Sequence, residues 1–220
     1  MSETDHKALA AQLRCPSGVT GEKTAENMFR ANGNMIRETI DVLGIRSAAN
    51  VLEIGFGNAR HLPYLLEQAP GVMYYGLDVS DLMVEQASAN NTDAVKSGTA
   101  HFYKVTGDAA FNFPSAHFNY SFSVNAVYFW QLPIEHIKEI HRVLKPGGKL
   151  ALAFVPEAFA RTLPFTRHGF SLYSPQAIEN MFVATGFGQP ACLEYEEKIM
   201  GNGGHETIRP FVIVTGINNG

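Results

Sequence analysis

The chain of 220 residues is 45% hydrophobic and 17% charged, with 17 basic residues against 21 acidic ones and a formal charge of −4. That length suits one domain around one sizeable core, and its ordinary Gly and Pro content argues against disorder or a fibrous repeat. Thinly spread Lys and Arg make a poor nucleic-acid platform, and no apolar run reaches the ~18 residues of a membrane span. Cys15 and Cys192 are too few for a disulfide framework or a four-thiolate zinc site, and the first residues lack the apolar stretch of a secretory signal. A cytoplasmic setting is therefore expected. His136 and His141 are five apart, off the same-face spacing of a helix, and the other histidines are scattered, so no metal site is expected.

Residues 22–43 read as helix, with Met28, Met35, Ile36, Ile40 and Leu43 at spacings near three and four and a break expected at Asn32-Gly33. Ala49–Ile54 is a short apolar strand ending in Gly55-Phe56-Gly57, and residues 59–68 return to helix. Val72–Leu77 follows as strand, Leu82–Asn90 as helix after a Ser80 cap, and Ala100–Val105 as strand. Next come Phe118–Val124 as strand, Ile134–Leu144 as helix and, after the turn Lys145-Pro-Gly-Gly148, Lys149–Val155 as strand. Ser174-Pro175 opens a helix that stops near Gly186. Cys192–Ile199 and Thr207–Ile217 then close the chain as an antiparallel hairpin around Gly201-Asn-Gly-Gly204. Alternating strands and helices imply a doubly wound, mostly parallel α/β sheet covered on both faces.

In such a sheet the ligand sits beyond the carboxyl ends of the strands, where strand order reverses. The first strand ends Glu53-Ile-Gly55-Phe-Gly57, where glycines permit a sharp turn and close approach of a ligand. Asp78 ends the second strand, where a carboxylate can accept hydrogen bonds from both hydroxyls of an adenosine ribose. A dinucleotide fingerprint wants glycine at position 60, which is Arg, so a nicotinamide-dependent oxidoreductase fits poorly.

Four ordered stretches, Val51–Ala59, Tyr75–Ser80, Gly107-Asp108-Ala109 and Val143–Gly148, resemble class I S-adenosylmethionine-dependent methyltransferases. The resemblance covers roughly residues 48–155 and is strongest to the ubiquinone and menaquinone methyltransferase-like branch. It implies a Rossmann-like seven-stranded sheet over 1–220, with 1–47 as a helical cap, 48–155 as the cofactor core and 156–220 as acceptor side and sheet-closing strands. By the same resemblance Gly55, Phe56 and Gly57 lie against the methionyl and ribose part of S-adenosylmethionine, and Glu53 organises its amino end. Asp78 would hold the ribose, Val79 and Met83 would flank the adenine, and Asp108, between Gly107 and Ala109, would accept from the adenine amino group. Asn125 falls where relatives place groups near the reactive methyl. Leu13–Gly18 resembles a segment that folds over the cofactor in some relatives. Ala59, where many relatives carry glycine, and Asn119, where many carry Asp, are departures, and Asn119 reads as structural.

Methyl transfer from a sulfonium requires alignment, exclusion of water and a deprotonated acceptor, and needs no protein nucleophile. Tyr128, Phe129, Trp130, Phe159, Phe165, Phe170 and Tyr173 suggest an apolar or aromatic small-molecule acceptor. His61, His168 and Tyr128 are the titratable candidates for catalysis. A cofactor-binding regulatory protein without turnover stands as the alternative from another class.

Overall fold

Period-two alternation decides how this chain folds, because successive strand residues are sent to opposite faces of one sheet. The computed structural model describes residues 2–200 and 206–220. It begins with helices α1, Glu3–Arg14, and α2, Gly18–Leu43. Strand β1, Asn50–Ile54, helix α3, Leu62–Glu67, strand β2, Met73–Asp78, helices α4, Asp81–Asn90, and α5, Thr92–Lys96, and strand β3, Ala100–Lys104, follow. Then come β4, Phe118–Val124, α6, Pro133–Val143, β5, Leu144–Phe154, α7, Glu157–Ala160, α8, Pro175–Ala184, and the strands β6, Phe187–Met200, and β7, Glu206–Asn218.

The sheet order is β3-β2-β1-β4-β5-β7-β6, with β1 to β5 parallel and β7 antiparallel to both of its neighbours. Along β5, Ala151 and Ala153 join the core under α2, α3 and α4, whereas Leu150, Leu152 and Phe154 join the core under α6 and α8. Phe211 and Ile213 against Val212 and Val214 repeat the division on β7. Both faces are buried, which is why these strands read as continuous apolar runs. The expected hairpin forms between β6 and β7, while its glycine-rich turn, Gly201-Asn-Gly-Gly204, lies outside the described residues.

Two local expectations are corrected. Helix α2 runs unbroken through Asn32-Gly33. An interior glycine costs a helix about 1 kcal/mol, while burying each of Met35, Ile36, Ile40 and Leu43 returns about 1.5–3 kcal/mol. The helix ends at Gly44, φ 64°, and Lys149 donates to the Val42 carbonyl at 2.5 Å. The second correction is Lys145-Pro-Gly-Gly148, which belongs to β5 itself, with a register shift opposite Phe118 and Tyr120. Asn119 serves this irregularity: its Oδ1 accepts from Asn50 N and from Lys145 Nζ, each at 3.0 Å. The caps expected at Ser80 and Ser174 form, accepting from Met83 N and Ala177 N. Among the described residues no helix is long and apolar enough to cross a membrane.

Candidate functional site

The carboxyl ends of β1, β2 and β4 face a cavity of about 540 Å3, beside the point where strand order turns from β1 to β4. That is where an open α/β sheet leaves room for a ligand, and the volume is of small-molecule size.

The turn after β1 shapes its floor. Gly55, φ 80°, and Gly57, φ 59°, take left-handed backbone, which a side chain disfavours by about 1–2 kcal/mol. A Cβ on Gly55 would stand 2.6 Å from Ala126 Cβ, so the missing side chain lets the loops after β1 and β4 touch. Ala59 takes φ 47° and is fully buried, so the third position of this turn keeps a glycine-like backbone without a glycine. Phe56 turns its ring under the loop onto Phe102, with ring centroids 5.1 Å apart. Gly76 on β2 makes the room: a Cβ there would stand 2.5 Å from Phe56 Cδ1 and 3.1 Å from Tyr74 Cε1. Gly76→Ala is therefore expected to cost about 1–3 kcal/mol of stability through overpacking, measured by urea unfolding, and an unchanged midpoint would refute that packing.

Glu53 is a buried carboxylate beside this turn. Its Oε2 accepts from the Tyr74 hydroxyl at 2.5 Å and lies 2.7 Å from His61 Nε2. With a carboxylate facing it, that ring nitrogen carries the hydrogen. Burial, then the Glu53 charge, pushes the Tyr74 phenol well above its ordinary pKa, so it stays a donor.

Asp78 ends β2 with both oxygens engaged: Oδ2 accepts from Gly57 N at 3.1 Å and Oδ1 from Ser80 N at 3.0 Å. Burial pushes its pKa up to about 6, against the pull of the backbone N–H groups of Ser80, Gly57 and Val79. A carboxylate has about four lone-pair sites, so it can take further donors from the cavity. Asp108 stands at the exposed rim, where a hydrogen bond from the Thr106 hydroxyl holds its carboxyl below the usual range. Asn125 closes β4 at φ 55°, with Nδ2 donating to Asn32 Oδ1 at 3.1 Å and Oδ1 accepting from the Tyr128 hydroxyl at 3.0 Å.

The cavity thus gathers Glu53, Gly55, Phe56, Gly57, His61, Asp78, Val79, Met83, Gly107, Asp108, Ala109 and Asn125. Two candidates fall elsewhere. Tyr128 is buried behind the wall, accepting from Val155 N at 2.5 Å, and His168 lies 3.1 Å from Glu3 Oε1 on α1. Of the aromatic residues expected around an acceptor, Phe129 and Trp130 line the cavity, but Phe159, Phe165, Phe170 and Tyr173 do not. Phe170 instead packs onto Phe129, 4.6 Å between centroids, and Phe165, 5.8 Å, backing the wall from outside. The opposite wall comes from Met28, Phe29, Asn32 and Ile36 of α2, with Leu13 to Pro16 before it. The sequence implied a helical cap over 1–47 but named none of these α2 residues as lining the site. The signal was present in the spacing of 28, 32 and 36, one apolar-to-polar-to-apolar stripe along a single face.

The ionisable groups discriminate between ligands. Glu53, Asp78 and Asp108 face the cavity against Arg14, with Cys15, His61 and His136 as the other titratable side chains among its walls. Burial holds the His136 imidazole below its ordinary pKa, which favours the neutral ring. Such walls fit hydroxyls, an amine and a positive centre, with Arg14 as their one Arg or Lys among the described residues against three carboxylates. Among the described residues no three His, Cys, Asp or Glu side chains cluster to hold a metal ion.

Residues 52–152 match the family model described as methyltransferase domain. The uncharacterized methyltransferase YdaC of Bacillus subtilis is 31% identical over 129 residues, covering 59% of this chain and 68% of that protein. A tRNA U34 carboxymethyltransferase of Hydrogenovibrio crunogenus is 29% identical over 156 residues, with 67% of this chain matching 47% of the relative's length. Among solved structures, a chain from the complex of the Haloferax volcanii Trm112 methyltransferase activator with its methyltransferase partner superposes with a TM-score of 0.75. At 17% identity, covering 98% of both chains, it shares the fold. With the ordered motifs, the acid-lined cavity at the strand ends and these matches together, the chain belongs to the class I S-adenosylmethionine-dependent methyltransferases.

Proposed function

We propose that this chain transfers the methyl group of S-adenosylmethionine to a small apolar or aromatic acceptor, bound between α2 and the turn that follows β4. The observation that carries the reading is the buried Asp78 carboxylate, held by Gly57 N and Ser80 N and lining a cavity that also presents Glu53 and Asp108. When bound, S-adenosylmethionine supplies an electrophilic methyl on a sulfonium, open to in-line displacement by an acceptor lone pair.

The chain's own groups then bind, orient and exclude water. Asp78 accepts from the ribose hydroxyls. Glu53, kept in place by Tyr74 and His61, faces the positive amino end. Gly55 and Gly57 let the backbone approach the methionyl and ribose part, Phe56 stiffens the turn between them, and Val79 and Met83 flank the base. Asp108, in Gly107-Asp-Ala109, accepts from the adenine amino group. Leu13, Met28, Phe29, Ile36, Phe129 and Leu132 form an apolar wall for the acceptor, which displaces water and so strengthens the polar contacts it encloses.

His61 is occupied by Glu53 through Nε2, which supports a holding role for it instead of proton abstraction from an acceptor. The tRNA-modifying relative raises a nucleic-acid acceptor as a second reading. The thin basic content of the chain and the acids around the cavity favour a small molecule, because polyanion binding needs clustered Lys and Arg. Titration calorimetry with S-adenosylhomocysteine tests the reading: saturable heat is expected from folded protein, and its absence at high micromolar ligand would refute it.

A further inference from the structure

We propose that Asn32 is a specificity-determining residue that donates its amide N–H to an oxygen of the methyl acceptor, and that Arg209 is the positioning residue that sets this polarity. The inference rests on the methyl-transfer reading and narrows its substrate class. It starts from a buried chain of hydrogen bonds that joins the C-terminal hairpin to the cavity.

Arg209 of β7 and Glu197 of β6 form an ion pair whose side chains are only 9% and 6% exposed. Glu197 Oε1 accepts from Nε at 2.9 Å and from Nη2 at 2.5 Å, and Nη2 also donates to the Ala31 carbonyl at 2.7 Å. The remaining arm, Nη1, reaches Asn32 Oδ1 at 3.2 Å. A buried ion pair adds little net stability over apolar residues of the same volume. What this one contributes is geometry, since it pins α2 where Asn32 meets the cavity.

A guanidinium has donors and no acceptor. The atom of Asn32 facing Arg209 is therefore the amide oxygen, because the reversed amide would set donor against donor. The same oxygen receives Asn125 Nδ2 at 3.1 Å, which turns Asn125 Oδ1 toward the Tyr128 hydroxyl at 3.0 Å. One fixed cation thus orders both amides. The other half of Asn32, Nδ2, has no protein partner among the described residues, and Asn32 lines the cavity between Phe29 and Ile36. The α2 wall therefore presents an amide donor on an otherwise apolar strip.

A donor in that place selects an oxygen that accepts: a carbonyl, a phenolate or an enolate at or beside the atom to be methylated. An arylamine, which presents its own N–H groups, or a thiol, which accepts weakly, leaves Nδ2 unpaired. Donation to the anion also lowers the pKa of an acceptor hydroxyl, so the acceptor can ionise without a protein base. Its proton goes to water, its electron pair forms the bond to the methyl carbon, and the pair of the broken carbon–sulfur bond stays on sulfur. This accords with His61 being engaged by Glu53 and His168 lying outside the cavity.

The test uses labelled S-adenosylmethionine and naphthol, naphthylamine and naphthalenethiol, which share one skeleton, together with indanedione as an enolic diketone. Methylation of naphthol or indanedione in preference to the amine and thiol is expected. Asn32→Asp keeps an acceptor for Arg209 and Asn125 but replaces the donor with a charged oxygen that repels an anionic acceptor, and kcat/KM for the oxygen acceptors should fall about 10- to 100-fold or more, with S-adenosylhomocysteine affinity unchanged. The paired variant Glu197→Met with Arg209→Met leaves no charge stranded and should raise the acceptor KM, whereas Arg209→Lys, which also only donates, should restore most of it. Turnover confined to the amine or thiol, no turnover of the oxygen acceptors, or an Asn32→Asp enzyme as active as the parent would overturn the proposal. Loss of S-adenosylhomocysteine binding by the parent protein would instead overturn the methyl-transfer reading beneath it.

Discussion

Asp78→Ala is expected to weaken S-adenosylhomocysteine binding by about 100-fold, since two hydrogen bonds to a charged group are together worth about 3 kcal/mol or more. Methylthioadenosine, which shares the ribose, should lose a comparable factor. The substitution also strips partners from Gly57 N and Ser80 N, so the turn proposed to meet the ligand loosens with it. Binding calorimetry checks the loss, and unchanged affinity would remove the ribose from this position. A pH signature accompanies it. Only the ionised carboxylate accepts from both hydroxyls, and burial has pushed its pKa up to about 6. Affinity should therefore be level above pH 7 and fall as pH drops through 6, by about tenfold at pH 5. The fold responds with the opposite sign. The native state binds this proton more tightly than the unfolded chain, so the part of the stability due to Asp78 rises as pH falls from about 6 toward the unfolded pKa near 3.8. Asp78→Asn should flatten the binding profile across this range.

Glu53→Gln is expected to separate the two ends of the ligand. S-adenosylhomocysteine carries an ammonium group and methylthioadenosine does not, so the first should lose about 10- to 100-fold in affinity while the second keeps its affinity. Equal losses would mean that Glu53 acts only by holding the fold. Glu53→Ala reports that structural share: it leaves the buried Tyr74 hydroxyl and His61 Nε2 unpartnered and should cost about 2–4 kcal/mol in urea unfolding.

Much of this architecture was legible from residues close together in the chain. Apolar runs broken by glycine and proline mark the strands, and Phe118–Val124 matches its expected bounds residue for residue. That Asp78 and the Gly55-Phe-Gly57 turn line the cavity was legible for the same reason, since the topology of a parallel sheet leaves its cavity at the strand ends. The misreadings share another physical cause. Gly33 signals a break in any isolated helix, yet the burial of Met35, Ile36 and Ile40 against the sheet outweighs its propensity. Phe165 and Phe170 looked as suitable for a pocket as Phe129, and only their packing order puts them behind it.

From the sequence alone came the family, the order of the strands with the main helices between them, and the acids at the strand ends, because each is written in spacings of a few residues, whereas the short helices α5 and α7 were not read. Which side chains meet across the cavity was decided by the tertiary structure. His61 on Glu53, Asn32 of the second helix on Asn125 after the fourth strand, and Arg209 of the last strand on Asn32 are contacts between segments up to 177 residues apart. The two contacts of Asn32 exist because helix α2 packs on the face of the sheet to which Phe211 and Ile213 of the closing hairpin also belong. Hydrogen bonding is short-ranged and directional, so such a network appears only when packing has brought its members together.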